Sequence, residues 1–402
     1  MCYTRRRVHS PSPAVPSPPP PSFVQKHGNK LIASAIITAG IVWTLKQGGI
    51  KFIPESGNFD KVRWWVVPVY FVSLAVMSYF RAVRWRYLLR PFADIPRRRL
   101  LAVSWIGFAA ILLMPFRIGE FVRPYMIRDP GRVEKGKHVG RVSMSAATGT
   151  IVAERIVDGL YLSIVLALAL FLVPHLEPLP ETVVGLQISV AKVRGAGYGM
   201  LGVFTAAFTV IAVFYVKRDF ARRATLAVFG VVSPKLAERL AGMAEHLADG
   251  LRFLGRAEDA LPFLLETTFY WGINALGMWL LAWGSGVVHA DGSAITFPES
   301  CAMMGMLGIT ILVPGPPGLL GVFQLGLYAG MAMYFPATIV SGEGAAYVFL
   351  LYASQVVWTV CAALLFLVRP VDRGNLRALE EAEGIVPVDP TKVDATDDDA
   401  AA

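Results

Sequence analysis

Residues 300–342 have the sequence SCAMMGMLGITILVPGPPGLLGVFQLGLYAGMAMYFPATIVSG, which contains no acidic or basic side chain. A helix needs roughly 20 apolar residues to cross a bilayer, so this stretch is too long for one crossing. The run Pro314–Gly318 (PGPPG) interrupts it, and the first half, Cys301–Val313, is too short to span alone. Non-helical backbone at bilayer depth is tolerated only when it is buried in protein or lines a wet cavity. The stretch therefore predicts a helical hairpin that enters the membrane and returns.

The rest of the chain has the composition of a polytopic membrane protein. Of its 402 residues 55% are hydrophobic and 17% are charged, and the mean hydropathy is +0.53. A soluble domain carries about 25% charged residues. The deficit comes from long uncharged or nearly uncharged segments between short charged connectors, as in bilayer spans. These segments are 31–45, 64–80, 100–116, 151–174, 195–216, 262–288, 300–342 and 344–368.

A second hairpin is predicted where segment 100–116 ends early, at Pro115. If this segment crossed fully, the basic connector 217–256 would lie outside, against the positive-inside rule. A hairpin entering from the cytoplasm instead places Arg132, Lys137, this connector and both termini inside. We therefore predict an all-α polytopic membrane protein with about six transmembrane helices and two re-entrant helical hairpins. The order span, hairpin, span occurs twice with opposite orientation, which suggests an inverted-topology repeat.

Three regions follow from this pattern. Residues 1–29 are basic and rich in Pro and Ser, which predicts a disordered cytoplasmic leader. Residues 30–370 form the membrane domain, in which Leu residues spaced three and four apart predict an amphipathic cytoplasmic helix over 219–255. Residues 371–402 form an acidic cytoplasmic tail.

Several function classes lack support in the sequence. The net charge of +9 is concentrated in connectors, so juxtamembrane bases explain it better than nucleic-acid binding. No nucleotide loop, metal signature or Gly-x-Ser-x-Gly motif is present, and the three cysteines form no framework. We expect no catalytic residues, no cofactor and no metal, although an intramembrane enzyme is not excluded.

Two charged clusters stand out from the apolar background as candidate substrate-binding residues. They are Arg117, Glu120 and Arg123 after the first predicted hairpin turn, and Glu154, Arg155 and Asp158 at the start of the next span. On a helix the first three fan over one side, and Glu154 and Asp158 share a face. A charge at bilayer depth costs about 2.5–3.5 kcal/mol, so these residues need partners or a ligand. One interpretation is mutual neutralisation, Glu120 with Arg155 or Arg117 with Glu154; the other is an arginine-lined pocket for an anionic headgroup.

The turn of the second hairpin is the third candidate region. Gly315 and Gly318 supply the unusual dihedrals of a buried reversal, and a helix starting near Leu319 would offer its N-terminus to an anion. Gly321 and Gln324 lie within the next two turns, where a headgroup could approach closely. The alternative is a plain interfacial loop between two short spans.

These motifs, in this order, resemble the lysylphosphatidylglycerol synthase transmembrane region, or flippase-like, family over roughly residues 30–370. The matching runs are Arg-x-Gly-Glu-x-x-Arg at 117–123, Glu-Arg-x-x-Asp at 154–158, and a Pro/Gly-rich turn at 314–321. This chain has Gln324 where family members usually have an acid after that turn, and it lacks the Asn that they often have shortly before Pro115. Only 34 residues follow Val368, so we expect no aminoacyltransferase domain.

The resemblance implies a translocase for an anionic phospholipid or lipid-linked precursor in the bacterial inner membrane. Its headgroup phosphate would bind Arg117, Arg123 and Arg155. The alternative is a non-transporting scaffold that presents lipid to a partner glycosyltransferase or lipid-modifying enzyme. Neither interpretation involves nucleic acid.

Overall fold

The computed structural model describes most of the predicted membrane domain. The described residues are 53–128, 132–134, 137–139, 142–183, 189–230, 233–235, 237–238, 241–242, 255–311 and 317–368. The predicted leader, the first predicted span (31–45), the acidic tail and Gly315 lie outside them. So do the leucines of the predicted amphipathic stripe, although α7 begins that segment.

The described fold is built from helices. Their bounds are α1 Val66–Val83, α2 Trp85–Leu89, α3 Arg97–Leu113, α4 Val122–Ile127, α5 Met144–Leu172, α6 Val190–Val216, α7 Arg218–Gly230, α8 Ala257–Gly284, α9 Phe297–Thr310, α10 Val322–Met331, α11 Ala337–Ser341 and α12 Glu343–Val368. Short 3₁₀ turns cover Ser56–Phe59, Pro115–Phe121 and Pro317–Leu319. The strands β1 Arg132–Glu134 and β2 Lys137–Val139 pair antiparallel in the connector after α4.

Four helices among the described residues are long and apolar enough to cross a membrane. They are Val66–Leu89 (α1 continued by α2), Met144–Leu172, Val190–Val216 and Glu343–Phe366. The 28-residue helix α8 covers most of the predicted span 262–288 but is not among them, and it carries polar residues such as Thr267 and Asn274. The chain is therefore an all-α, multi-pass membrane protein, as the sequence predicts.

Helices α1 and α8 pack side by side and antiparallel. The amide of Arg63 donates to the carbonyl of Gly284 at 2.7 Å, and Gly277 lies against Tyr70 and Ser73. A Cβ at Gly277 would approach Ser73 Oγ to 2.3 Å, so the small residue sets how close the helices come. This pairing brings the polar residues of α8 level with the end of α1.

The first predicted hairpin consists of α3, the 3₁₀ turn and α4. Helix α3 has 17 residues, about 25 Å at 1.5 Å per residue, which is shorter than the hydrocarbon core. The turn folds back against it so tightly that a Cβ at Gly119 would lie 2.2 Å from the backbone of Ala110. Glycine at this position therefore permits the return of the chain.

The second predicted hairpin consists of α9 and α10, which pack directly on each other. Gly318 (φ 75°) and Gly321 (φ 87°) have left-handed backbone, as a sharp reversal requires. The returning helix begins at Val322, so the predicted start near Leu319 is wrong. Leu319 itself has a φ of 55° inside the reversal, which is incompatible with a helix start there.

Candidate functional site

A cavity of about 210 Å³ lies where both hairpins meet the long helices. Most of its wall is apolar. Three arginines line it among the described residues: Arg81 at the end of α1, Arg117 in the first hairpin turn and Arg155 in α5. Gly318 and Leu319 line it from the second hairpin, so the tips of both hairpins contribute to one cavity. An apolar chamber with a few convergent cations has the composition of a site for an amphipathic anion.

Arg81 is the cavity cation with the least neutralised charge. Its guanidinium lies 4.3 Å from the centre of the Phe108 ring. No carboxylate among the described residues is within salt-bridge distance of it, whereas Arg117 and Arg155 both have acidic partners. A charged group in an apolar chamber without a counter-ion is strongly disfavoured unless a ligand supplies one. Arg81 is therefore available to an anionic ligand.

Glu154 is completely buried behind the cavity and holds three arginines. Arg84 Nη2 donates to its Oε1 at 3.2 Å, Arg155 Nη2 donates to the same oxygen at 3.0 Å, and Arg123 Nη1 donates to Oε2 at 3.1 Å. Arg84 and Arg123 are fully buried as well. The carboxylate therefore joins three parts of the fold in one ion-pair network: the junction between α1 and α2, the first hairpin, and α5.

Asp158 occupies the same face of α5, one turn further on. Arg84 Nη2 donates to its Oδ2 at 2.7 Å, and Tyr270 and Trp271 donate to Oδ1 at 2.9 and 3.2 Å. Tyr270 and Trp271 line the cavity, whereas Asp158 does not. This carboxylate therefore fixes two cavity-lining side chains of α8 from behind. Arg155 Nη1 lies 3.7 Å from Asp158 Oδ2, which orients the arginine along the wall.

Arg117 links the two hairpin tips. Its Nε donates to Glu120 Oε1 at 2.9 Å, and its Nη1 donates to the carbonyl of Ile311 at the end of α9, at 2.7 Å. Arg117 has a φ of 58°, a left-handed backbone that is uncommon for a residue with a side chain. Strained residues of this kind cluster at functional sites, where the surrounding contacts hold them.

The structure divides the predicted site residues into two groups. Arg117, Arg155 and Gly318 line the cavity, whereas Glu120, Arg123, Glu154, Asp158, Gly321 and Gln324 are not among its described lining residues. Gln324 is buried, and its Oε1 accepts from the amide of Gly321 at 2.7 Å, so it caps α10. Gln324 therefore has a local backbone role.

Two predicted arrangements are wrong. Arg117 pairs with Glu120, and Glu154 pairs with Arg84, Arg123 and Arg155, so neither proposed neutralising pair is formed. Arg117, Glu120 and Arg123 do not share one helix face, because Arg117 and Glu120 lie in the 3₁₀ turn and only Arg123 is in α4. The prediction that Glu154 and Asp158 share a face is confirmed, since both contact Arg84 Nη2.

Sequence reasoning missed Arg81, Arg84, and the polar face of α8. The predicted span ended at Phe80, which assigned both arginines to a connector. The signal was present: no Gly or Pro follows until Pro91, so the helix pattern continues past both arginines. A second signal was the excess of acid at 154 and 158, which one neighbouring arginine cannot neutralise.

The network retains an excess of positive charge. Five arginines accompany three carboxylates: Arg81, Arg84, Arg117, Arg123 and Arg155 with Glu120, Glu154 and Asp158. Among the described residues, no group of three or more His, Cys, Asp and Glu side chains could hold a metal ion. The site has the charge of an anion receptor.

The family model described as the lysylphosphatidylglycerol synthase TM region matches residues 31–371. The chain belongs to this family. No curated protein and no solved structure matches the chain. The family is a membrane domain linked to lipid handling. In this family member, both hairpins and every cavity-lining arginine fall within the matched residues.

Proposed function

We propose that this protein translocates an anionic phospholipid or a lipid-linked precursor, with the headgroup phosphate bound by Arg81, Arg117 and Arg155. The observation that supports this most directly is the cavity of about 210 Å³, whose lining is apolar apart from these arginines and a few neutral polar groups. The planar fork of arginine suits phosphate, which it binds through two parallel hydrogen bonds. The apolar wall is compatible with the glycerol backbone and the first acyl carbons.

The carboxylates have a supporting role in this proposal. Glu154 and Asp158 accept hydrogen bonds from arginine, tyrosine and tryptophan side chains, so their oxygens are already occupied. They keep the arginines charged and oriented while leaving Arg81 for the ligand. Neither acid is proposed to act in catalysis, and no reaction on the lipid is proposed.

Arg117 would take part in opening the cavity. In the structure its Nη1 contacts the carbonyl of Ile311, so it joins the two hairpin tips beside the lining. A phosphate oxygen is a stronger acceptor for guanidinium than a neutral carbonyl. A headgroup that draws Arg117 away would release the contact between the hairpins.

We propose further that both termini face the cytoplasm of a bacterial inner membrane. At one end of the α1–α8 pair, Trp65 lies 6.1 Å from Trp283, and Arg63 lies over the Trp283 ring at 3.9 Å, as in an interfacial aromatic belt. The other end carries a run of bases, which the positive-inside rule assigns to the cytoplasm: Arg86, Arg90, Arg97, Arg98 and Arg99.

Single-cysteine labelling in intact cells tests this orientation, starting from a variant without native cysteines. A cysteine at position 132 should react with a membrane-impermeant reagent only after the cells are lysed. Labelling from outside would overturn the cytoplasmic assignment of the first hairpin.

The transport proposal is tested in proteoliposomes that contain only this protein and a fluorescent phosphatidylglycerol. We expect the protein to move the lipid between leaflets. Arg81→Ala should slow movement by about tenfold or more, since a hydrogen bond to a charged group contributes about 1.5–3 kcal/mol. Arg98→Ala removes the same charge from an exposed position at the start of α3 and is the matched control.

The same assay separates transport from scaffolding. Lipid binding that depends on Arg81, without any movement between leaflets, would contradict the translocase and favour presentation of lipid to a partner glycosyltransferase or lipid-modifying enzyme. Absence of both binding and movement would contradict both functions.

A further inference from the structure

Building on the proposed function, we infer that the cavity selects a lipid whose headgroup is anionic and bears hydroxyl groups, and that it rejects a headgroup carrying a positively charged amine. The inference rests on two features of the described lining: which charges it contains, and which neutral polar atoms it leaves without partners.

The described lining contains three arginines and no Asp or Glu side chain. Two stretches that contain undescribed residues also lack acids in the sequence. No acid precedes Glu55, and none occurs between Cys301 and Gly342, the stretch that forms the second hairpin. Of the nearby acids, Glu154 and Asp158 lie behind the wall and are bound by arginines and aromatic donors, and Glu120, which does not line the cavity, accepts from Arg117. An ammonium group in this cavity would face three arginines and, among the described lining residues, no carboxylate.

Juxtaposed like charges cost several kcal/mol where water is excluded. Phosphatidylglycerol carries one phosphate charge and neutral hydroxyls. An aminoacylated headgroup such as lysylphosphatidylglycerol adds two ammonium groups and has a net positive charge. The charge balance of the cavity therefore favours the first lipid over the second.

Asn274 supplies the partner for a hydroxyl. Its side chain lines the cavity with 9% exposure, and its Oδ1 is buried without a hydrogen-bond partner among the described residues. An unpaired buried amide oxygen costs about 1–3 kcal/mol, which a ligand hydroxyl would offset by donating to it. Asn274 lies four residues along α8 from Tyr270, about 6 Å away along the helix axis, and both line the cavity. Asn274 therefore offers a hydroxyl acceptor in the same cavity as the three arginines.

Two further neutral side chains extend this polar wall. Ser163 on α5 and Gln355 on α12 both line the cavity. Gln355 Nε2 donates to Tyr70 OH at 3.1 Å, which leaves its amide oxygen for a ligand donor. The described cavity lining thus offers neutral acceptors for hydroxyl groups, whereas a cationic headgroup would require carboxylates.

The test compares two vesicle compositions, each with the purified protein: phosphatidylcholine with either fluorescent phosphatidylglycerol or fluorescent lysylphosphatidylglycerol. We expect the protein to bind and move phosphatidylglycerol faster by about tenfold or more, given the cost of juxtaposed like charges. Asn274→Asp places a carboxylate in the wall and should narrow or reverse this ratio. Asn274→Leu should slow the movement of phosphatidylglycerol. The preference for phosphatidylglycerol over lysylphosphatidylglycerol should remain, because the arginines remain.

The outcomes are distinguishable. Equal movement of both lipids, or a preference for lysylphosphatidylglycerol, would overturn the inference and leave translocation intact. A preference that does not change in a folded Asn274→Asp variant would overturn the assignment of Asn274. Movement of neither lipid would contradict the proposed function itself. Competition by soluble sn-glycerol 3-phosphate as effective as that by phosphatidylglycerol would assign the site to free phosphate esters and overturn the lipid class.

Discussion

The two hairpins achieve the same reversal with opposite chemistry. The first turns through a charged segment, where Arg117 pairs with Glu120 and Arg123 is buried against Glu154. The second turns through an uncharged segment, where Gly318 and Gly321 adopt positive φ and side-chain charge is absent. The comparison indicates that the two hairpins have different roles. The first hairpin supplies cations and depends on ion pairs, whereas the second lets backbone and side chains pack closely and depends on glycine.

The largest expected effect is the loss of the first hairpin's buried ion pair. Arg123→Ala removes one of the three arginines that hold Glu154, the one that donates to Oε2 in the apolar interior, and breaking this buried pair should destabilise the fold by about 3–5 kcal/mol. We expect little monodisperse protein and a clear drop in melting temperature in detergent. Arg98→Ala is the control.

The double variant Arg123→Met/Glu154→Gln tests the reason for that loss. Removing both charges should recover part of the stability, because the two partners are lost together while Arg84 and Arg155 keep Asp158 as a partner. An unchanged melting temperature for Arg123→Ala alone would show that the first hairpin does not depend on this pair.

In the second hairpin the largest effect should come from Gly326, where the two arms touch. A Cβ there would lie 2.0 Å from Thr310 Oγ1 and 3.2 Å from Leu307 Cα. Gly326→Leu should destabilise the protein by about 1–3 kcal/mol through overpacking, measured by thermal unfolding. Gly272→Ala is the matched control, since a Cβ at Gly272 meets nothing within 4 Å. Equal stability of both variants would contradict close packing of the arms.

A similar effect on stability, with a larger one on transport, is expected at the tip of the second hairpin. Gly318→Val forces a branched side chain into a φ of 75° and toward Tyr352 OH, 2.9 Å from the position of its Cβ. Strain of about 1–3 kcal/mol should distort the cavity wall, and Gly321→Leu should act similarly through its φ of 87°. Full transport activity in both variants would favour the plain interfacial loop and remove this turn from the site.

The smallest expected effect tests how the second tip is held in place. Tyr352 OH donates to the carbonyl of Gly318 at 2.8 Å. Tyr352→Phe should lower stability by only about 0.5–1.5 kcal/mol, the net contribution of one neutral hydrogen bond. A loss as large as that of Arg123→Ala would show that the second hairpin also depends on polar anchoring, against the difference described above.

The sequence predicted the two hairpins because their apolar lengths are incompatible with full crossings, and length is a local property. It also identified Arg117, Arg155 and Gly318, which line the cavity. It could not assign the ion pairs, because Arg84 meets Glu154 and Asp158 across 70 and 74 residues of chain. The packing of α1 against α8 and of α2 against α5 decides those partners, and no short motif records it.

The central claim is that the cavity arginines hold the phosphate of a membrane lipid. Native mass spectrometry of the protein, purified in mild detergent and supplied with phosphatidylglycerol, tests this claim most directly. We predict one retained phospholipid on the wild-type protein and on Arg98→Ala, and its loss on Arg81→Ala at unchanged melting temperature. Equal retention on Arg81→Ala and the wild type would contradict the assignment of the cavity as the headgroup site.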